Sequence, residues 1–160
     1  MTLSEEILKQ AVNAGLCKEH TAKWNRNWTA DDMLKYYKAN PNWCMERRFP
    51  PLDILEKYRN HSLNIFVSED VTMRASGLCY IFVNCNAGII TRDIVRLYFS
   101  LDSNAKIVVE DGGDLVVDTY DDTKLDIELR GNARCVVYMH GKYVPDITGG
   151  DNYKIRDKRK

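Results

Sequence analysis

The sequence predicts an α+β protein with a small helical region over 1–60, a short β-solenoid over 61–143 and a basic tail over 144–160. Three observations lead there. Apolar residues recur at helical spacing before about residue 60 and at alternate positions after it. From Val95 onward the alternating runs return about every ten residues. Between the runs lie Ser103-Asn104, Gly112-Gly113, Asp121-Asp122, Gly131-Asn132 and His140-Gly141, residue pairs that tolerate turn dihedrals, including positive φ.

The first helix is expected over about 4–14. Thr2 and Glu5 have the spacing of a capping box, Ile7, Leu8, Ala11 and Val12 form an apolar stripe, and Gly15 supplies the stop. A second short helix is read from Lys18 to Trp24, with Trp24 and Trp28 anchoring its end. Thr29 can cap a third, in which Asp31 and Asp32 sit favourably against the helix dipole, and Asn40-Pro41 is read as its end. Pro50-Pro51 forces an extended entry into a last short helix carrying Leu52, Ile54, Leu55 and Tyr58. Arg47-Arg48 falls between helices, where a DNA-reading recognition helix would not place its cations.

In the second region Val95, Leu97, Phe99 and Leu101 share a face, followed by Ile107 and Val109, Leu115 and Val117, Leu125, Ile127 and Leu129, then Cys135, Val137 and Met139. The other face is polar, with Lys106, Glu110, Asp118, Lys124, Asp126, Glu128, Arg130 and Arg134. Periodicity alone leaves two architectures open. An antiparallel meander would pack its apolar face on the helices, whereas a solenoid with two strands per coil would enclose a narrow continuous core. Equal run lengths and the recurrent Asn-Ala pairs at 86, 104 and 132 favour the solenoid. The earlier segments Leu63 to Val67 and Leu78 to Val83 are strongly β-forming, Val71 to Arg74 less so. Tyr143-Val144-Pro145 and Gly149-Gly150 are read as the end of the repeat, leaving Lys154, Arg156, Lys158 and Arg159 in a charged tail.

The phrases Arg-Gly-Asn-Ala-Arg-Cys-Val-Val-Tyr and Ser-Asn-Ala-Lys-Ile-Val-Val, behind the start Ser-Glu-Glu-Ile-Leu-Lys-Gln-Ala, resemble uncharacterised proteins of phages and mobile elements from anaerobic gut bacteria, which carry Gly-Asn-Ala-Lys/Arg-Val β-repeats. The resemblance implies a genomic setting and no activity, so it assigns no catalytic residue.

Composition narrows the function classes. Lys plus Arg and Asp plus Glu both count 23, giving no net field toward nucleic acid or an acidic membrane. The N-terminus lacks the basic start and apolar stretch of a secretory signal, and no apolar run could span a bilayer, so a cytoplasmic or virion-associated location is expected. Five scattered cysteines without a C-x-x-C pair read as buried hydrophobes in a reducing compartment. The acidic stretch 110–128 is the one place where hard oxygen ligands could gather around Ca²⁺, although turn chemistry also explains its composition. No metal, cofactor or catalytic residue is assigned. His20, His61 and His140 lie far apart, and no phosphate loop or dinucleotide fingerprint is present.

The expected interaction surface consists of Tyr98, Tyr120 and Tyr138, about twenty residues apart and read as one exposed column, together with Lys154, Arg156, Lys158 and Arg159. The sequence thus points to a non-enzymatic structural or interaction protein whose partners are proteins, including further copies of itself. A small-ligand or nucleotide binder that counters host defence is the first alternative, and a hydrolase of a glycan or phosphate ester the second.

Overall fold

The computed structural model describes residues 2–24 and 27–160, and the chain divides into two compact units, residues 1–63 and 64–160. The first is helical, with α1 (Leu3–Asn13), α2 (Lys18–Lys23), α3 (Ala30–Ala39), α4 (Pro41–Glu46), α5 (Leu52–Tyr58) and a 3₁₀ turn at His61–Leu63. Both expected N-caps close as reciprocal boxes. Thr2 Oγ1 accepts from Glu5 N while Thr2 N donates to the Glu5 carboxylate, and Thr29 with Asp32 repeats the arrangement. Ile7, Ala11, Met33, Leu34, Tyr37, Cys44, Met45 and Leu55 are buried. Trp24 donates its indole N–H to Ser4 Oγ at 3.2 Å, and its ring lies 4.1 Å from Trp28 and 5.5 Å from Tyr36. The sequence reading missed α4. Asn40-Pro41 ends α3 as expected, but Pro41 also opens the next helix, because the first helical position needs no N–H donor.

The second unit is a β-solenoid of about five turns, so of the two architectures left open by the sequence the chain adopts the stacked one. Strands β1 (Ile65–Val67), β3 (Cys79–Val83), β5 (Ile94–Ser100), β7 (Asp114–Thr119), β9 (Arg134–Met139) and β11 (Tyr153–Asp157) form one parallel sheet in that order, here sheet A. Strands β2 (Asp70–Arg74), β4 (Asn86–Thr91), β6 (Asn104–Val109), β8 (Lys124–Leu129) and β10 (Asp146–Thr148) form sheet B. The chain alternates between the sheets, so consecutive strands belong to opposite walls of one coil.

Register explains the interior. Met73, Ile89, Ile107, Ile127 and Ile147 align in one column of sheet B, and Tyr80, Leu97, Val117, Val137 and Ile155 in one of sheet A. Most are fully buried. Phe66, Phe82 and Phe99 also stack, with centroids 5.2 and 4.7 Å apart and planes within 12° and 11°. Close to 0.8 kcal/mol per buried CH₂ makes this shared interior the main stabilising term.

The corners need left-handed backbone, which glycine supplies at Gly112 (φ 82°) and Gly131 (φ 58°) and Asp121 (φ 55°) supplies without it. Gly131 is required for a second reason. A Cβ there would lie 2.4 Å from Asp111 Oδ1, the atom that accepts from Asn132 N at 2.7 Å.

Residues 144–160 are not a tail. Pro145 and Gly149-Gly150 punctuate the chain, but β10 pairs with β8 and β11 pairs with β9 in the same parallel register as the preceding coils. The charges obscured the alternation: Lys154 and Arg156 occupy wet outer positions, while Ile155 continues the inner column.

Candidate interaction surfaces

Two outer faces of the solenoid carry polar side chains, and they differ in how those side chains are used. On sheet A the strand register places Ile81, Tyr98, Asp118, Tyr138 and Arg156 in one column. The expected tyrosine column is therefore interrupted, because the interval from Tyr98 to Tyr120 is two residues longer than the coil and Asp118 takes the place. Tyr98 and Tyr120 are buried rather than exposed, and Tyr138 is half-buried.

The tyrosines nevertheless surround one network. Asp118, 2% exposed, accepts from Arg96 Nη2 at 2.8 Å through one carboxylate oxygen, and the other lies 3.3 Å from His140 Nε2. Tyr120 stacks on His140 with centroids 4.4 Å apart and planes within 5°. The Arg96 guanidinium lies 5.1 Å from the Tyr98 ring centroid and 5.8 Å from that of Tyr138, which Lys158 also approaches at 5.9 Å. Burial pushes the Tyr98 phenol up to about 12, opposed by the nearby Arg96 cation.

Of the expected cations, Lys154 and Arg156 stand on β11 at outer positions, and Lys158 follows one residue past the strand, its N–H bonded to Met139 C=O. Arg159 is committed elsewhere. Its side chain grips Asp157 through contacts down to 2.6 Å and holds that carboxyl down at about 2.

Sheet B presents a groove of about 520 Å³ that crosses four coils. Its rim is the outer column Asp70, Asn86, Asn104 and Lys124, and next to it runs the column Thr72, Gly88, Lys106 and Asp126. Asn86 Nδ2 donates to Asp70 Oδ1 at 3.0 Å, and Asn104 Nδ2 reaches Asn86 Oδ1 at 3.5 Å. These contacts form a ladder in steps of one strand spacing, about 4.8 Å, and leave each asparagine a second N–H and a second acceptor site on its oxygen. Lys106 and Asp126 face the solvent side of the groove, and neither has an ion-pair partner among the described residues.

Gly88 makes the floor low. It sits mid-strand without a positive φ, and a Cβ there would meet only Thr72 Oγ1, at 3.9 Å. Glycine is not demanded by the backbone at this position, and mid-strand glycine is unfavourable. Beyond Gly88 a second hollow of about 510 Å³ has an apolar rim at Ile90 and Val108 and a charged end where Arg74 forks onto Glu110 at 3.1 and 3.2 Å. The Arg74 contact lowers the Glu110 carboxyl below its usual range. Sequence reasoning missed this surface, although the Asn-Ala pairs and the glycine at 88 were its signals.

The acidic stretch disperses instead of converging. Asp114 and Asp118 lie on sheet A, Asp126 and Glu128 on sheet B, and Asp111 and Asp121 at opposite corners. Most carboxylates are taken by neighbours: Asp114 by Arg134 at 2.7 Å, Glu128 by Arg130 at 2.8 Å, and Asp121 by Leu101 N at 3.0 Å. Among the described residues no group of three or more His, Cys, Asp or Glu is placed to hold a metal ion.

In the helical unit Cys17 Sγ lies 3.0 Å from His20 Nδ1, a thiol–imidazole contact that spacing alone did not single out. Both residues are exposed. Cys44, Cys85 and Cys135 are buried, and burial pushes the Cys135 thiol up to about 12.

Among the described residues no helix is long and apolar enough to cross a membrane. The architecture defines the class, an α+β chain built on a parallel β-solenoid. No protein-family model, curated protein or solved structure matches the chain.

Proposed function

We propose that this is a non-enzymatic interaction protein that holds an extended polypeptide segment of a partner along the outer face of sheet B. The observation that carries the reading is the four-coil groove with Gly88 at its floor. Successive coils place the polar side chains of Asn86 and Asn104 along it, and the missing side chain at 88 admits a main chain close to the sheet. The residues lining the groove include no aromatic ring, which a sugar ring would use for stacking, so a polypeptide fits this chemistry better than a glycan. The likeness of the Gly-Asn-Ala phrases to phage and mobile-element proteins adds a setting, an accessory protein in a bacterial cytoplasm or on a virion.

Gly88→Val tests the reading because it separates folding from binding. The added Cβ meets no backbone, and β-branching suits a strand, so the variant should gain about 0.5–1 kcal/mol of stability. Titration with a library of capped, extended polar peptides, followed by NMR, should shift the amides of Asn86 to Gly88 and Asn104 to Lys106 in the wild type and not in Gly88→Val. Peptides that shift only sheet A, or that bind Gly88→Val equally well, would overturn the proposal.

The second reading, a nucleotide binder, has its own observation: the half-buried Tyr138 ring lies within 6 Å of both Arg96 and Lys158, cations suited to phosphate. Thermal stabilisation by nucleoside phosphates that is lost in Tyr138→Ala would favour it over the groove.

A further inference from the structure

The two ends of the solenoid are sheet edges, and an edge strand is a template for pairing unless something blocks it. Strand β2 ends sheet B and is bonded only by β4 among the described residues. Asp70, Thr72 and Arg74 are exposed, and Val71 and Met73 are half-buried. The strand contains neither proline nor lysine and no bulge, the usual protections of an edge.

Its hydrogen-bond phase is fixed. Asn86 N donates to Glu69 C=O at 3.2 Å, and Ala75 N donates to Ile90 C=O at 2.9 Å. In a parallel ladder that phase turns the main-chain groups of residues 69, 71, 73 and 75 toward β4, and those of Asp70, Thr72 and Arg74 toward the open side.

We infer that a second copy of this chain pairs antiparallel along the open edge of β2, with the two-fold axis at Thr72. In that register Thr72 faces its own counterpart, Asp70 faces Arg74 of the second copy, and Arg74 faces Asp70. All three pairs use residues whose N–H and C=O point outward, so each is a fully hydrogen-bonded pair. On the outer face the pairs are two opposite-charge pairs and one Thr–Thr pair, both favourable across strands. On the inner face Val71 meets Met73, covering two half-buried apolar side chains.

Arg74 keeps its fork on Glu110, which uses two of its five donors, and Asp70 keeps its contact with Asn86. The result joins two five-stranded sheets into one of ten strands, and the grooves, which begin at Asp70 and Thr72, run on from one copy to the other. This assignment is independent of what the groove binds.

The other end does not have this symmetry. Lys154 and Arg156 occupy the outer positions of β11. Any antiparallel self-pairing of β11 that keeps inner and outer faces matched sets cation against cation, which is unfavourable.

Sedimentation of the whole chain over a dilution series tests the inference. The wild type should approach the mass of two chains as concentration rises. Thr72→Pro removes an N–H that faces the open edge and not β4, a substitution edge strands tolerate, so it should give one chain with an unchanged far-UV circular dichroism spectrum. Asp70→Arg and Arg74→Asp each create like-charge pairs and should each sediment as one chain. Their equimolar mixture restores both opposite-charge pairs and should sediment as two. A wild type of single-chain mass at every concentration, a two-chain mass that survives Thr72→Pro, or a mixture that stays monomeric would overturn the assignment.

Discussion

The outer faces of sheets A and B are built from the same repeat and the same turn chemistry, and polar side chains bond between coils on both, yet the two faces differ in how deeply those groups are buried. On sheet A the polar groups satisfy one another between coils. Asp118 divides its two oxygens between Arg96 and His140, and Asp114 takes Arg134 from the next coil. On sheet B, Asn86, Gly88, Asn104 and Lys106 line an open groove, and the asparagines there stay exposed. The two walls of a β-solenoid can therefore use their outward side chains differently, one burying them between coils and the other leaving them open to a partner. Burial decides which, because a buried carboxylate must be paired and an exposed asparagine need not be.

The largest expected contrast comes from removing one side chain on each face. Asp118→Ala leaves Arg96 and His140 without their shared acceptor and should cost about 2–3 kcal/mol in denaturant unfolding. Asn104→Ala, on the exposed rim of the groove, should change stability by less than about 0.5 kcal/mol. Equal losses at the two positions would erase the distinction drawn between the faces.

Alkaline titration gives a smaller effect that belongs to sheet A. Tyr98 has a folded pKa raised from 10.0 to about 12, so the neutral phenol is favoured by folding. Its contribution is complete below pH 10, where the unfolded chain also keeps the proton, and is lost as pH rises from 10 to about 12. Cys135 adds a loss of the same sign that begins near pH 9, with its own folded value at about 12. Tyr98→Phe should flatten the part of the stability profile above pH 10, and a profile unchanged by that substitution would remove the case for a desolvated phenol.

The smallest effect concerns labelling. With iodoacetamide, exposed Cys17 should react first and buried Cys44, Cys85 and Cys135 last, as read by peptide mass.

Much of the fold was legible from the chain alone, because period-two burial and a regular coil length follow from residues such as Ile107, Val117, Ile127 and Val137. The last coil was hidden. Lys154, Arg156 and Lys158 read as a solvated tail because only Ile155 and Ile147 mark the inner face there. The site was less legible for a geometric reason. The stacking of Tyr98, Tyr120 and Tyr138 assumed a constant coil, and a difference of two residues puts Asp118 into the column and Tyr120 beside His140. Gly88 signals a bulge or a close approach, and only its neighbours in the sheet, Thr72 and Lys106, show that it lies at the floor of a groove.

The most direct test of the account is paramagnetic relaxation by a soluble gadolinium chelate, read on side-chain and Hα protons of the free protein. Strong relaxation at Asn86, Gly88, Asn104 and Lys106, with weak relaxation at Tyr98, Asp118 and Tyr120, is the predicted pattern. Comparable relaxation of the two sets, or stronger relaxation at Asp118 than at Gly88, would contradict it.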